Sequence, residues 1–149
     1  MNKQEILEFI KAQTFVTLAS INEGGFPESR MLVNLQNPAI APHLTEYFAA
    51  HDHVLYLMTN THSEKIAQLA KNPKASLYYA DTGDFKGMLL TGEITKVSSG
   101  EIKRALWHKN WEVYYSGGLE GGDFSVLCFT PERYKFYSDL SVKKGPVIW

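Results

Sequence analysis

Cysteine is almost absent: Cys128 is the only one in 149 residues. A lone cysteine excludes an internal disulfide framework and any multi-cysteine zinc site, and it points to a reducing compartment. Alternating with Val126, it reads as a buried, inert strand residue. An excess of one charge is missing too, since 15 Lys and Arg face 16 Asp and Glu and leave a formal net charge of -1. With no long basic run, the broad positive field of a nucleic-acid binder is excluded. No stretch approaches ~20 consecutive apolar residues, so no membrane-spanning helix is expected. Met1 to Phe15 mixes charged and apolar side chains and lacks the apolar run and cleavage site of a signal peptide, so a cytoplasmic location is expected. Internal repeats and low-complexity tracts are also lacking.

What is present is an ordinary globular composition, 44% hydrophobic and 21% charged, in a chain of single-domain length (1–149). Residues Lys3 to Thr14 place Ile6, Leu7, Phe9 and Ile10 at helical spacing, with Asn2 and Glu5 as a capping box. Phe15 to Ile21 is rich in β-branched and aromatic residues, Asn22-Glu23-Gly24-Gly25 supplies a hairpin turn, and Pro27 to Leu35 is the return strand. Gln36 to Pro42 reads as a loop leading into a short amphipathic piece, Leu44 to Ala50. A third strand, Val54 to Thr59, precedes a helix from Ser63 to Lys71 that Pro73 stops. Ala75 to Tyr79, Gly87 to Val97, Phe124 to Thr130 and Arg133 to Ser138 read as strands. Between them Glu101 to Trp111 carries a helical stripe, with Ser98 and Glu101 in capping-box spacing. The sum is six or seven strands, so the expected fold is mainly β, an antiparallel barrel with two to three short helices inserted at its connections.

The most informative stretch is Tyr56 to Lys65, where a strand ends, a polar turn follows and a helix begins. A helix N-terminus presents free N–H groups and the positive end of its dipole, so an anion is stabilised there. Ser63 adds a hydroxyl and Lys65 a full charge. A competing reading makes Thr61 and Glu64 a capping box that uses those N–H groups. Arg30 lies in a strand, sharing one face with Glu28 and Leu32 while Met31 and Val33 take the other. It is either an exposed ion-pair residue or a phosphate fork.

In order and rough spacing these landmarks resemble the pyridoxamine 5'-phosphate oxidase-like FMN-binding split barrels, in particular the general stress protein branch. The resemblance rests on Val16-Thr17-Leu18-Ala19-Ser20 with Gly24-Gly25 and Pro27, on Arg30-Met31-Leu32, on Thr59 with Ser63, Lys65, Leu69 and Asn72-Pro73, and on Gly92. It implies a six-stranded antiparallel split β-barrel that pairs as a homodimer, with FMN in clefts at the interface. It matches Arg30, Ser63 and Lys65 to the FMN phosphate, Met31 and Leu32 to the strand lining the flavin ring, and Met58 and Thr59 to positions beside it. It brings the region of Trp107, Trp111, Tyr114 and Tyr115 to the flavin from the partner subunit, so these aromatics either pack a core or interface or wall the cofactor, with Trp107 the leading candidate. Three departures count: Glu64 replaces a basic residue, Gly87 stands where the oxidase uses a polar side chain, and Tyr134 to Trp149 lacks an Arg-x-His pattern. Oxidation of pyridoxamine phosphate is therefore not expected.

The function expected is that of an FMN-dependent oxidoreductase passing electrons between a reduced donor and a small organic acceptor. No protein catalytic residue is required, because the flavin carries the chemistry. The alternatives are a noncatalytic flavin-binding stress module, a haem-binding split barrel with His51, His53 or His108 as axial ligand, and a deazaflavin in place of FMN. His51-Asp52-His53 lacks a third ligand, and no metal is expected.

Overall fold

The computed structural model describes all 149 residues. Helix α1, Lys3–Ala12, opens with the expected box: the Glu5 N–H donates to Asn2 Oδ1 at 2.9 Å and the Asn2 N–H to Glu5 Oε2 at 2.7 Å. Ile6, Leu7 and Ile10 on one face are buried. Strands β1, Phe15–Ile21, and β2, Pro27–Val33, form the hairpin, with Gly25 at φ +82° where only glycine is free of strain. β2 stops before the expected Leu35 because Asn34 leaves the ladder. Its Nδ2 instead donates to Ile10 O and Gln13 O, at 2.8 and 2.7 Å, satisfying carbonyls at the end of α1.

A 3-10 turn, Pro42–Leu44, and helix α2, Thr45–Ala50, lead to β3, Leu55–Asn60. Then come α3, Glu64–Lys71, β4, Lys74–Asp81, and β5, Lys86–Lys96. Helix α4 covers only Gly100–Leu106, capped by Ser99 rather than Ser98, and Trp107 turns extended before a 3-10 turn at Lys109–Val113. The helix predicted to run to Trp111 is thus broken at Trp107, whose ring is drawn onto Phe124, 5.0 Å between centroids.

Where the sequence predicts two strands after residue 124, the structure has one, β6, Phe124–Ser138. Pro131 survives inside it because the register slips beside Thr91 and Gly92, and at such a bulge a strand tolerates a residue that cannot donate. A Cβ on Gly92 would lie 2.1 Å from the Thr130 carbonyl oxygen, so only glycine allows this approach. A seventh strand, β7, Ser141–Pro146, pairs with β6 through a two-residue turn in which Asp139 and Leu140 have φ of 49° and 57°. It went unpredicted because leucine is not a turn residue.

The seven strands form one antiparallel sheet in the order β2-β1-β4-β5-β6-β3, with β7 beside the second half of β6. β2 and β3 end the order and approach without pairing, which leaves the barrel split along that seam. The fold is therefore the expected mainly β split barrel, with one strand more and four α-helices. Its interior holds Val16, Leu18, Leu57, Leu77, Leu90 and Phe129, closed by α1. A second cluster, including Leu44, Phe48, Tyr56, Trp111, Phe124 and Val126, packs on the opposite face of β3 and β6. No helix is long and apolar enough to cross a membrane.

Candidate functional site

At the seam, β2 brings Arg30, the end of β3 brings Thr59, and α3 brings Ser63 and Lys65. The Thr61–Glu64 capping box does not form. The Thr61 hydroxyl instead pairs with Ser125 Oγ at 2.7 Å, and Ser63, the residue before α3, makes no capping bond. An N-cap bond left unmade forgoes about 1 kcal/mol of helix stability and leaves first-turn N–H groups free for an anion. The Ser63 hydroxyl lies 3.3 Å from Thr59 Oγ1, which also accepts from Lys65 Nζ at 2.9 Å. Lys65 therefore keeps donors in reserve, since an ammonium carries three.

Arg30 is neither a free fork nor a plain surface ion-pair residue. Its Nη1 donates to Ser20 Oγ at 2.7 Å and its Nη2 to Gln68 Oε1 at 3.2 Å, while Glu28 stands 3.6 Å away. Gln68 joins all three: its Oε1 accepts from Ser20 Oγ at 2.6 Å and its Nε2 donates to Glu28 Oε2 at 2.7 Å. The second carboxylate oxygen of Glu28 is held by Asn22 at 2.9 Å. Hydrogen bonds from Asn22 and Gln68, with a smaller contribution from Arg30, hold the Glu28 carboxyl below the usual carboxylate range. Glu28 is thereby fixed as an anion that steadies Arg30 without reaching Lys65.

Arg30 and Lys65 share one cleft of about 500 Å³, lined otherwise by Glu28, Ser29 and Glu64. Burial pulls the Lys65 ammonium below the ordinary lysine range, and Arg30 pushes it the same way. Burial also lowers Arg30, opposed by Glu28 and Glu64. Two partly desolvated cations, one of which depresses the other, with two hydroxyls and an uncapped helix start, make a cradle that an anion would stabilise.

The other predicted residues are spread around this cradle. Leu32 shares Arg30's face and packs against the barrel core. Met31 lies on the opposite face, 66% exposed, and Met58 packs toward the second cluster. Trp107 stays in that second cluster, against Phe124, Trp111 and Tyr115, and within one subunit it does not join the cradle. His51 and His53 do not converge, because His51 stacks on Tyr47 and bonds its carbonyl at 2.8 Å. Ser20, Glu28 and Gln68 are the site residues the sequence reading missed. One of them left a signal, a serine in the inward register of Val16 and Leu18, whereas Gln68 lies off the helical stripe of Ile66, Leu69 and Ala70.

An antiparallel sheet curled into a barrel and left open between β2 and β3 defines the split-barrel class of fold. The chain belongs to the pyridoxamine 5'-phosphate oxidase family, whose profile matches residues 3–138. No protein of curated function matches it in sequence. Among solved structures it is similar to a Clostridium acetobutylicum protein related to general stress protein 26 of the pyridoxinephosphate oxidase family. The two are 25% identical with a TM-score of 0.79, covering 99% of this chain and 97% of that one. It is also similar to general stress protein 26 of Bacillus anthracis, at 17% identity and a TM-score of 0.71, covering 96% and 98%. A haem-binding protein of Mycobacterium smegmatis aligns at 18% identity and a TM-score of 0.67, over 98% of this chain and 58% of that one.

Proposed function

We propose that the protein is an FMN-binding flavoprotein, a homodimer that passes electrons between a reduced donor and a small organic acceptor. The observation that carries this reading is the pairing of Lys65 with Arg30 in one cleft, beside the Thr59 and Ser63 hydroxyls and the uncapped start of α3. These residues fit a phosphate monoester: Lys65 and the Ser63 hydroxyl donate to its oxygens, and Arg30, steadied by Ser20, Gln68 and Glu28, supplies the second charge. Met31, Leu32, Met58 and Thr59 border the adjoining ring site, and Trp107 of the partner subunit covers it. FMN, when bound, supplies the hydride or electron transfer, while the chain binds, orients and excludes water.

A homodimer is supported by the outer face of β1, β2 and β4, where Phe15, Met31 and Tyr78 are 47%, 66% and 38% exposed. Haem is the second reading, favoured by the Mycobacterium smegmatis neighbour and by His43 and His108, whose rings lie 4.8 Å apart. An absorbance spectrum of the purified protein, followed by titration with FMN, tests both. Saturable binding at micromolar FMN or tighter is expected, weakened by about 1.5–3 kcal/mol in Lys65→Ala and in Arg30→Ala. A Soret band, or unchanged FMN affinity in both variants, overturns the reading. FMN binding without turnover of any common donor would assign the protein to flavin storage or sensing, and a preference for deazaflavin would replace the cofactor in the same cradle.

A further inference from the structure

The cleft of Arg30 and Lys65 does not end at those two cations. Glu28 and Glu64 line it and also line a neighbouring hollow of about 580 Å³, between the β1–β2 turn and α3. The other walls of that hollow carry the amides of Asn22, Gln68 and Asn72, and its one cation, Lys71, is paired with Glu23. Its volume lies within the ~300–1,000 Å³ of small-molecule sites, so a nucleoside attached beyond a bound phosphate would find room there. Size therefore does not decide whether the cradle holds a terminal phosphate or one phosphate of a pyrophosphate. Charge does.

The two shared carboxylates are held differently. Glu28 is fixed by Asn22 at 2.9 Å and by Gln68 at 2.7 Å, and those bonds keep it ionised, 3.6 Å from Arg30. Glu64, the first residue of α3, forms no ion pair. Its charge still acts on Arg30, whose guanidinium it helps to keep protonated. A carboxylate in a first turn is favoured by the helix dipole on its own account. Here it also stands between Ser63 and Lys65 in sequence and at the junction of the two hollows. A phosphate monoester seated between Arg30 and Lys65 keeps almost all of its charge beside two cations. In a pyrophosphate linkage each phosphate carries one charge, so the second charge moves off the cations toward the hollow and lies beside Glu28 and Glu64. Like charges repel it there, and the partial burial of the cleft limits screening.

We propose that Glu64, backed by Glu28, selects a terminal phosphate monoester against a pyrophosphate, so that the site takes FMN and rejects the dinucleotide FAD. This selection rests on the flavin reading above and gives it a determinant within the chain. It works by repulsion of the wrong ligand, since neither carboxylate adds a contact to the right one. Glu64 is the residue to change, because removal of Glu28 would also unseat Arg30.

The test is isothermal titration calorimetry of the full-length protein with FMN and with FAD at constant ionic strength, in the parent, Glu64→Gln and Glu64→Lys. The parent should bind FMN at least about tenfold more tightly than FAD, a ratio that should narrow about threefold in Glu64→Gln and nearly vanish in Glu64→Lys, chiefly through tighter FAD. Equal affinity of the parent for the two flavins overturns the proposal. So does a ratio that neither variant moves; Glu64 would then serve the helix start alone, and thermal unfolding of Glu64→Gln would register its loss. Lys65→Ala separates this inference from the reading beneath it. If FMN affinity falls in Lys65→Ala while the ratio stays fixed in both Glu64 variants, the flavin site stands and its selection by Glu64 does not. A parent that binds neither flavin overturns both.

Discussion

The two halves of the sheet treat their outer faces in opposite ways. Behind β3 and the first half of β6, the chain covers its own sheet: Leu44, Phe48, Trp111 and Tyr115 pack on Tyr56, Phe124 and Val126, so both faces are buried. Behind β2, β1 and β4 nothing is folded back, and Phe15, Met31 and Tyr78 stay in solvent. Aromatics are spent on both halves, so hydrophobicity alone does not distinguish them. What distinguishes them is the length of intervening chain, because the segments 34–54 and 97–123 supply the helices and turns that lie over β3 and β6. The hairpins joining β1 to β2 and β4 to β5 are too short to return over their strands. The cradle lies at the seam of the two halves, with β2 from the bare side and β3 from the covered side.

The largest effect should come from breaking the covered half. Phe124 is fully buried and in ring contact with Trp107, Trp111 and Tyr115, so Phe124→Ala should cost about 3–5 kcal/mol in urea unfolding. The bare half should respond differently. Met31→Glu/Tyr78→Glu should leave the monomer's unfolding nearly unchanged yet weaken self-association by about 2–4 kcal/mol, read by sedimentation. A double variant that unfolds early instead of dissociating would show that the bare face is needed by the monomer itself.

At the seam, Gln68→Ala removes the group that joins Arg30, Ser20 and Glu28, and FMN affinity should fall about tenfold, roughly 1.4 kcal/mol. The pH dependence has a definite sign. Burial and Arg30 depress the folded-state pKa of Lys65, so its ammonium is lost at a pH below the ordinary lysine value, and FMN affinity should decline as pH rises through that lowered pKa. At the acid end, affinity should grow as the FMN phosphate takes its second charge near pH ~6. An alkaline decline that persists in Lys65→Ala would assign the titration to another group. The smallest effect belongs to the turn before β7, where Leu140 holds φ 57° with its side chain in solvent, and Leu140→Gly should stabilise by about 0.5–1 kcal/mol in thermal unfolding.

Much of this was readable in advance because it is local. The capping box of Asn2 and Glu5, the Gly24-Gly25 hairpin and the strand-to-helix passage from Tyr56 to Lys65 each lie within a few residues, where pattern and chemistry coincide. Arg30 and Lys65 were legible as cations of interest, but their meeting was inferred by resemblance, since they stand 35 positions apart. The supports of Arg30 were not legible. Ser20 and Gln68 are 48 residues apart, and only tertiary structure turns a strand serine and a helix glutamine into one hydrogen-bonded group. Residue-level signals also misled where packing overrode them: Trp107 left its helix for Phe124, and Pro131 stayed within a strand because Gly92 made room.

Strand β6 carries a further consequence for the order in which the chain can acquire structure. It gives Leu127, Phe129 and Tyr134 to the barrel interior and Phe124 and Val126 to the outer cluster, and it pairs with three other strands. Neither core can close until these residues have been synthesised. A nascent chain emerging from the ribosome therefore carries more than a hundred residues, including Phe48, Tyr56, Tyr79 and Trp111, with no finished core to shelter them. Completion of either core is thereby held back until late in translation.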